Sequence, residues 1–242
     1  MKTLSNISSR FSMGNNKKLK RGEQGEQIVA AVLDSDNSFH RIINNLVLLG
    51  DNEVSHQIDH ILIRNNGIFV IETKNYYGTI TGQEDDSYWK KTFPIKGKIK
   101  TETFHNPLKQ NQSHIRMIKR IIGKDYPIYC FVVFIQNNAD GIDLFNVCGP
   151  QDILKRINLI TIDKSLSETI IESIYHTLLY SEADVNDEMH LENIKRAIKS
   201  RREHQKELRI AIEKKICPDC GGILSIVSGG LKCTKCQKFI KI

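Results

Sequence analysis

No stretch of this chain approaches the roughly 20 consecutive apolar residues that a helix needs to cross a bilayer. The longest apolar run, residues 128–135, has the length of a buried strand. The opening MKTLSNISSRFSMG has neither an apolar signal core nor a cleavage site, so no secretory signal is expected. A cytoplasmic chain that does not enter a membrane follows as the expectation. Cysteine is sparse outside the C-terminal end. Cys130 and Cys148 stand alone in apolar segments and read as reduced core residues. In a reducing compartment, the four others read as metal ligands before disulfides. Proline and glycine are both missing from residues 186–215, where Lys, Arg, Glu and His dominate and Ile194, Ile198, Leu208 and Ile212 are the sparse apolar positions. That composition predicts a long, mostly exposed helix between two modules. Its heptads are poor for a coiled coil.

What is present fits one medium domain and a small module: 242 residues, 40% of them hydrophobic. The formal net charge is +7, and it is unevenly placed. From residue 187 onward there are 13 Lys or Arg and 7 Asp or Glu, a net of +6 that leaves about +1 for everything before it. A basic tail suits attraction to a phosphate backbone. A tail that serves only solubility has the same composition.

The most informative stretch is QIDHILIRNNGIFVIETKNYYG, residues 57–78. Residues 56–63 alternate apolar and polar, and 68–71 form a short β-branched and aromatic run. Asn66-Gly67 between them is a strong hairpin signal, because both residues tolerate positive φ. With that loop, Asp59 is expected opposite Lys74 and Ile61 opposite Glu72. Side chains alternate faces along a strand, so Asp59, Glu72 and Lys74 fall on one face. Carboxylates and a lysine at the end of an apolar strand suit a reactive site, because buried charges are paired or hold metal. A solvated ion pair between strands is the plainer reading of the same pattern.

The spacing Asp59, Glu72, Thr73, Lys74 (D, twelve residues, E-x-K) resembles the PD-(D/E)xK nuclease superfamily. The wording QIDHILI, GIFVIETKN, YYGTITG is similar to the nuclease-related domain, NERD, over about residues 20–150. No proline precedes Asp59, a departure at a loose position of the pattern. The resemblance implies a restriction-endonuclease-like α/β fold, a mixed sheet flanked by helices. It further implies that Asp59 and Glu72, with the Thr73 carbonyl, hold Mg²⁺ or Mn²⁺ and that Lys74 is catalytic. Glu26 matches the glutamate of a G-x-x-G-E helix that reaches the metal, and Gln110 matches the glutamine of N-P-x-x-Q that organises the site. From its residues alone, Glu26 also suits a solvated first-turn glutamate, and Glu23 is the weaker candidate. Gln110 needs no special role in a first helical turn.

Around this hairpin the chain reads in order. Residues 1–20 are polar, end in a basic run, and suggest a mobile arm. Residues 22–35 suggest a helix with Ile28, Val29, Val32 and Leu33 as its stripe. Residues 39–49 suggest a first strand broken by a turn. Thr79 onward should extend the second hairpin strand. Residues 88–90 should open another, with Trp89 as packing, and 95–100 a basic loop or hairpin near substrate. Asn106-Pro107 is a helix start and Gly123 its stop. His114 shares a surface line with Gln110 and reads as a packing or surface histidine. Strands at 128–135 and 144–148 and helices near 152–157 and 165–180 complete an α/β core within 21–185. The helical linker is 186–215.

Residues 216–242 contain two C-x-x-C knuckles, Cys217/Cys220 and Cys233/Cys236, twelve residues apart. That spacing is a strong structural zinc signal. The segment resembles the zinc ribbon at the end of bacterial topoisomerases. With Lys232, Lys235, Lys238 and Lys241 nearby it suits nucleic-acid contact, and a zinc-held protein-interaction knob is the alternative. The expected function is metal-dependent hydrolysis of DNA phosphodiesters, in defence against foreign DNA or in DNA processing. RNA stays open as substrate, and the long helix or the ribbon as a docking point for a protein partner. The alternative is a non-catalytic nucleic-acid-binding or adaptor protein that keeps the nuclease fold.

Overall fold

The computed structural model describes residues 5–50, 54–139, 141–183, 213–228 and 230–241, with Lys199, Glu203, Lys206 and Ile210 between them. Most of the expected 186–215 helix therefore lies outside the described residues. The chain divides into two compact units, one built from residues before 184 and one holding the C-terminal cysteines.

The larger unit is organised on a five-stranded mixed sheet, in the order β1-β2-β3-β7-β8. Its strands are β1 His40–Leu49, β2 Ser55–Arg64, β3 Gly67–Lys74, β7 Ile128–Phe134 and β8 Val147–Cys148. β3 is central, antiparallel to β2 and parallel to β7. It is buried along almost its whole length, as its unbroken apolar run anticipates. Helix α1 is Ser5–Asp34, α2 Pro107–Ile122, α3 Ile153–Asn158 and α4 Glu168–Tyr180. On one face, Ile61, Ile63 and Val70 pack against Met117 and Ile118 of α2 and Ile171, Ile174 and Leu178 of α4. On the other, Leu62, Phe69 and Ile71 pack against Val29 and Leu33 of α1 and Ile153 and Ile157 of α3.

Several expectations shift. The helix expected from residue 22 already begins at Ser5, so the backbone of residues 5–20, expected as a mobile arm, is helical. No proline interrupts that stretch. The turn expected inside β1 reduces to one left-handed residue, Asn45, with φ 58°. The β2–β3 hairpin turns at Asn65-Asn66, and its register runs His60 to Ile71 and Ile61 to Val70. This differs by two residues from the expected pairing, which leaves the faces unchanged. Gly67 joins the strand instead of the loop. Its φ is 135°, and a Cβ there would lie 2.8 Å from the Tyr129 ring. Asn66 is held from outside the hairpin, its amide donating to the carbonyls of Ile157 at 2.9 Å and Ile160 at 3.0 Å.

Thr79 does not extend β3. It opens β4, Thr79–Thr81, in a second sheet with β5, Tyr88–Ile95, and β6, Lys98–His105. Trp89 anchors this sheet, fully buried and stacked on Phe134 at 6.2 Å. β8 is shorter than expected, because Leu144 to Asn146 stay outside the strand.

The smaller unit has a three-stranded antiparallel sheet of β9 Leu224–Val227, β10 Gly230–Cys233 and β11 Phe239–Lys241. Leu224, Leu231 and Ile240 pack with Cys217 and Cys233 in its core.

Candidate active site and candidate metal centre

β3 delivers Glu72 and Lys74 to the end of the central strand. Ile68 N–H donates to the Pro127 carbonyl, and the Lys74 carbonyl accepts from Ile135 N–H at 3.0 Å. The even-numbered backbone groups of β3 therefore point toward β7, and the odd-numbered ones toward β2. Thr73 is odd. Its N–H donates to Asp59 Oδ2 at 2.8 Å, so a side chain takes the place of a ladder carbonyl. The β2–β3 pairing stops one residue earlier, at His60 and Ile71. Asp59 and Glu72 come together at this split.

Glu72 is 2% exposed. Its Oε1 accepts from the Lys74 ammonium and from Gln110 Nε2, the latter at 2.8 Å. Lys74 also reaches Gln110 Oε1 at 3.4 Å. Gln110 thus bridges both residues. Glu72 Oε2 is buried and accepts no hydrogen bond from any described residue. Buried carboxylate oxygens are rarely left so. His114, 3% exposed, brings Nδ1 to 3.9 Å from it.

The electrostatics follow from this crowding. Burial, then the charge of Glu72, raises the Asp59 carboxyl well above its usual range, against weaker pulls from Lys74 and the Thr73 N–H. Glu26, half-buried on α1, is raised by its own burial and then by Glu72 and Glu23. Burial would lower the Lys74 ammonium, but Glu72, Tyr76 and Asp59 outweigh it and hold it above its usual value. Burial lowers His114 to about 4, so it is neutral near pH 7.

Three connections hold the site in place. Asn106 caps α2, accepting from Leu108 N–H at 2.9 Å, and Pro107 follows at the first helical position. Asn111 then donates to the carbonyls of Val70 at 2.6 Å and Phe131 at 3.0 Å, tying α2 across β3 and β7. Asn75 donates to the Arg21 carbonyl at 2.8 Å and accepts from Gln136 at 2.9 Å. A Cβ on Gly25 would lie 3.1 Å from Asn75 Cβ and Ile135 Cγ1, so glycine lets α1 approach closely enough to present Glu26. Sequence reading missed Asn111 and Asn75 and understated His114. The only signal for Asn111 was its place beside Gln110 in the N-P-x-x-Q-N run.

The residues suit a hard divalent cation. Glu72 has a buried oxygen without a hydrogen bond from any described residue, its charge disfavours the ionised form of Asp59, and Thr73 presents backbone to Asp59. Asp59, Glu72 and Glu26 do not, however, converge as three ligand atoms within 4.8 Å. Among the described residues only Cys217, Cys220, Cys233 and Cys236 do.

Those four sulfurs form the candidate metal centre of the smaller unit. Cys217 Sγ lies 3.7 Å from Cys236 Sγ, and Cys220 Sγ 3.5 Å from Cys233 Sγ. A tetrahedron with Zn–S bonds of about 2.3 Å has edges of about 3.8 Å. The N–H groups of Lys235 and Cys236 point at Cys233 Sγ, each at 3.4 Å. The Cys236 N–H, joined by that of Lys235, outweighs burial and lowers the Cys233 thiol to about 6. A Cβ on Gly222 would come within 2.9 Å of Cys233 Sγ, so the cradle is closed to any other residue. The cluster is compatible with zinc. Cys130 and Cys148 differ. Burial pushes their thiols up to about 12 and about 11, as befits inert core residues.

Comparison with known proteins agrees with this architecture. The nuclease-related domain family matches residues 21–135. An uncharacterized protein of Bacillus anthracis is 30% identical over 167 residues, covering 66% of this chain and 76% of its own length. No solved structure gives a significant match. With a hairpin, a central strand and a G-x-x-G-E helix meeting where that family's pattern lies, the chain belongs to the nuclease-related domain family.

Proposed function

We propose that the protein is a metal-dependent nuclease that hydrolyses DNA phosphodiester bonds. The observation that carries this reading is the buried Glu72 carboxylate near Asp59, with one oxygen held by Lys74 and Gln110 and the other without a hydrogen bond from any described residue. Asp59, Glu72 and the Thr73 carbonyl would hold Mg²⁺ or Mn²⁺, with Glu26 completing the shell directly or through water. Such an ion supplies Lewis acidity toward the phosphate and a water acidified for attack. The residues of the chain supply the rest. Lys74 orients the attacking water and offsets charge gathering on the phosphate oxygens. Gln110 fixes both Glu72 and Lys74, which removes rotamers that would misdirect the ammonium. Asn111 and Asn75 keep the strand end and its two helices in register. The C-terminal ribbon, with zinc on its four cysteines, would add nucleic-acid affinity through Lys232, Lys235 and Lys238.

The test is cleavage of plasmid and oligonucleotide DNA with Mg²⁺, Mn²⁺ or EDTA, wild type beside Lys74→Ala. Metal-dependent cutting should fall by about 10²-fold or more in the variant, as when a single transition-state donor is lost. Binding measured in EDTA should be retained. Failure of the wild type to cut, with binding intact, would leave a binding module on a nuclease fold.

A further inference from the structure

The β5–β6 hairpin is built to project. At its base Trp89 and Phe104 are packed against Phe134 and Tyr76. Toward its tip it presents Ile95 and Ile99, the latter 80% exposed. Lys96-Gly97 closes it, both with positive φ. Residues 88–105 hold five lysines and one glutamate. Glu102 takes Lys91 at 3.1 Å and Lys100 at 2.6 Å. Lys90, Lys96 and Lys98 are exposed and make no ion pair with any described residue.

The register places these residues by face. Lys91 lies opposite Glu102, Phe93 opposite Lys100 and Ile95 opposite Lys98, all on the face that carries Trp89 and Phe104 at the base. Tyr77, 56% exposed, lies 6.4 Å from Phe93, ring to ring. Lys91 Nζ sits 4.7 Å over the Tyr76 ring. Tyr76 in turn follows Lys74 by two residues, just past the end of β3. Aromatic rings and lysines thus alternate from the hairpin tip to the candidate catalytic lysine.

We propose that this face, formed by Tyr77, Phe93, Ile95, Lys98 and Lys100, is the track along which a single-stranded nucleic-acid segment reaches the site. Its destination rests on the nuclease reading; its binding does not. Lysines spaced along one face meet a phosphate backbone, and partly exposed rings beside them offer stacking to bases that are not already stacked in a duplex. An acidic peptide would use the lysines but leave Tyr77 and Phe93 without a role.

The experiment uses the full chain in EDTA, with fluorescent oligothymidylate and a blunt duplex as probes. Lys98→Gln/Lys100→Gln lies on exposed positions of this face and should leave the fold intact. It should weaken single-strand binding about tenfold or more and reduce the salt slope by about 1.4, at about 0.7 per phosphate contact. Tyr77→Ala should weaken the single strand at least about fivefold and the duplex far less. Photocrosslinking from iodouracil should mark Tyr77 or Phe93. Unchanged affinity in both variants, equal losses on duplex and single strand, or adducts confined to residues 216–241 would overturn the proposal. Hairpin-dependent binding in a protein that cuts nothing would sink the nuclease reading alone. Normal cutting and binding by the hairpin variants would sink the track alone.

Discussion

A single buried imidazole shows how local chemistry sets the pH range of this fold. His60 is fully buried, its Nδ1 paired with Asn44 Oδ1 at 2.8 Å and its Nε2 without a partner among the described residues. Burial lowers it from 6.5 to about 4. The unfolded chain therefore binds this proton more readily than the native one between those values. Stability is full above about pH 6.5 and is lost as the pH falls toward 4. The loss reaches about 3 kcal/mol for this group, at about 1.4 kcal/mol per pKa unit. Urea unfolding at pH 7, 5 and 4 should show a steeper acid loss for the wild type than for His60→Gln; parallel curves would rule the group out. At the same scale, the shared face of Asp59, Glu72 and Lys74 was legible because side chains alternate along a strand, while the place of Gln110 came only from the family resemblance. Asn111 and His114 were not legible. Their roles depend on how α2 lies across β3 and β7, and one chain's spacing does not encode that angle.

Among the elements, α1 is the one whose position depends most on a single residue. Gly25 touches the ends of β3 and β7 with no Cβ to spare. Gly25→Leu should displace the helix and Glu26 with it. Cleavage should fall about 10²-fold, as for a misplacement of about 1 Å, while the thermal midpoint drops by a few degrees, as for about 1 kcal/mol. Comparable activity in that variant would separate Glu26 from the reaction. The hairpin register was the element most misread. Asn66-Gly67 is the stronger loop by local propensity, yet Gly67 is drawn into β3 by the Tyr129 ring and the Pro127 carbonyl beside it. Because the error was two residues, the predicted faces survived it. The strand from Tyr88 and the hairpin near 95–100 were legible, but the place of Thr79–Thr81 was not, since Gly78 at φ 93° turns the chain away from β3 into a second sheet.

For the whole molecule, the two units answer to different forces. The larger unit, including α1 and β1, closes around apolar clusters on both sides of a sheet. Among the described residues, the cysteine unit has a core of Leu224, Leu231 and Ile240 beside its sulfurs. With so few apolar residues beside four clustered sulfurs, the unit is expected to depend on a bound metal for its folding. Cys217→Ser should abolish zinc binding and the ordered amide signals of residues 216–241, and leave the thermal transition of the larger unit within about 2 °C, since each unit has a core of its own. Retained zinc at one equivalent would sink the four-thiolate centre. The two C-x-x-C pairs made this unit legible from spacing alone, because metal geometry constrains sequence more tightly than packing does.

One bond at the split between β2 and β3 has a use of its own. The Thr73 amide is held by the Asp59 carboxylate and not by a ladder carbonyl. Its deuterium uptake is thus governed by a side chain, while that of Ile71, two residues before it, answers to the sheet. A cation that draws Asp59 away would unlock this one amide and leave its neighbours protected. The backbone carries a built-in gauge of occupancy, readable one residue at a time without any turnover.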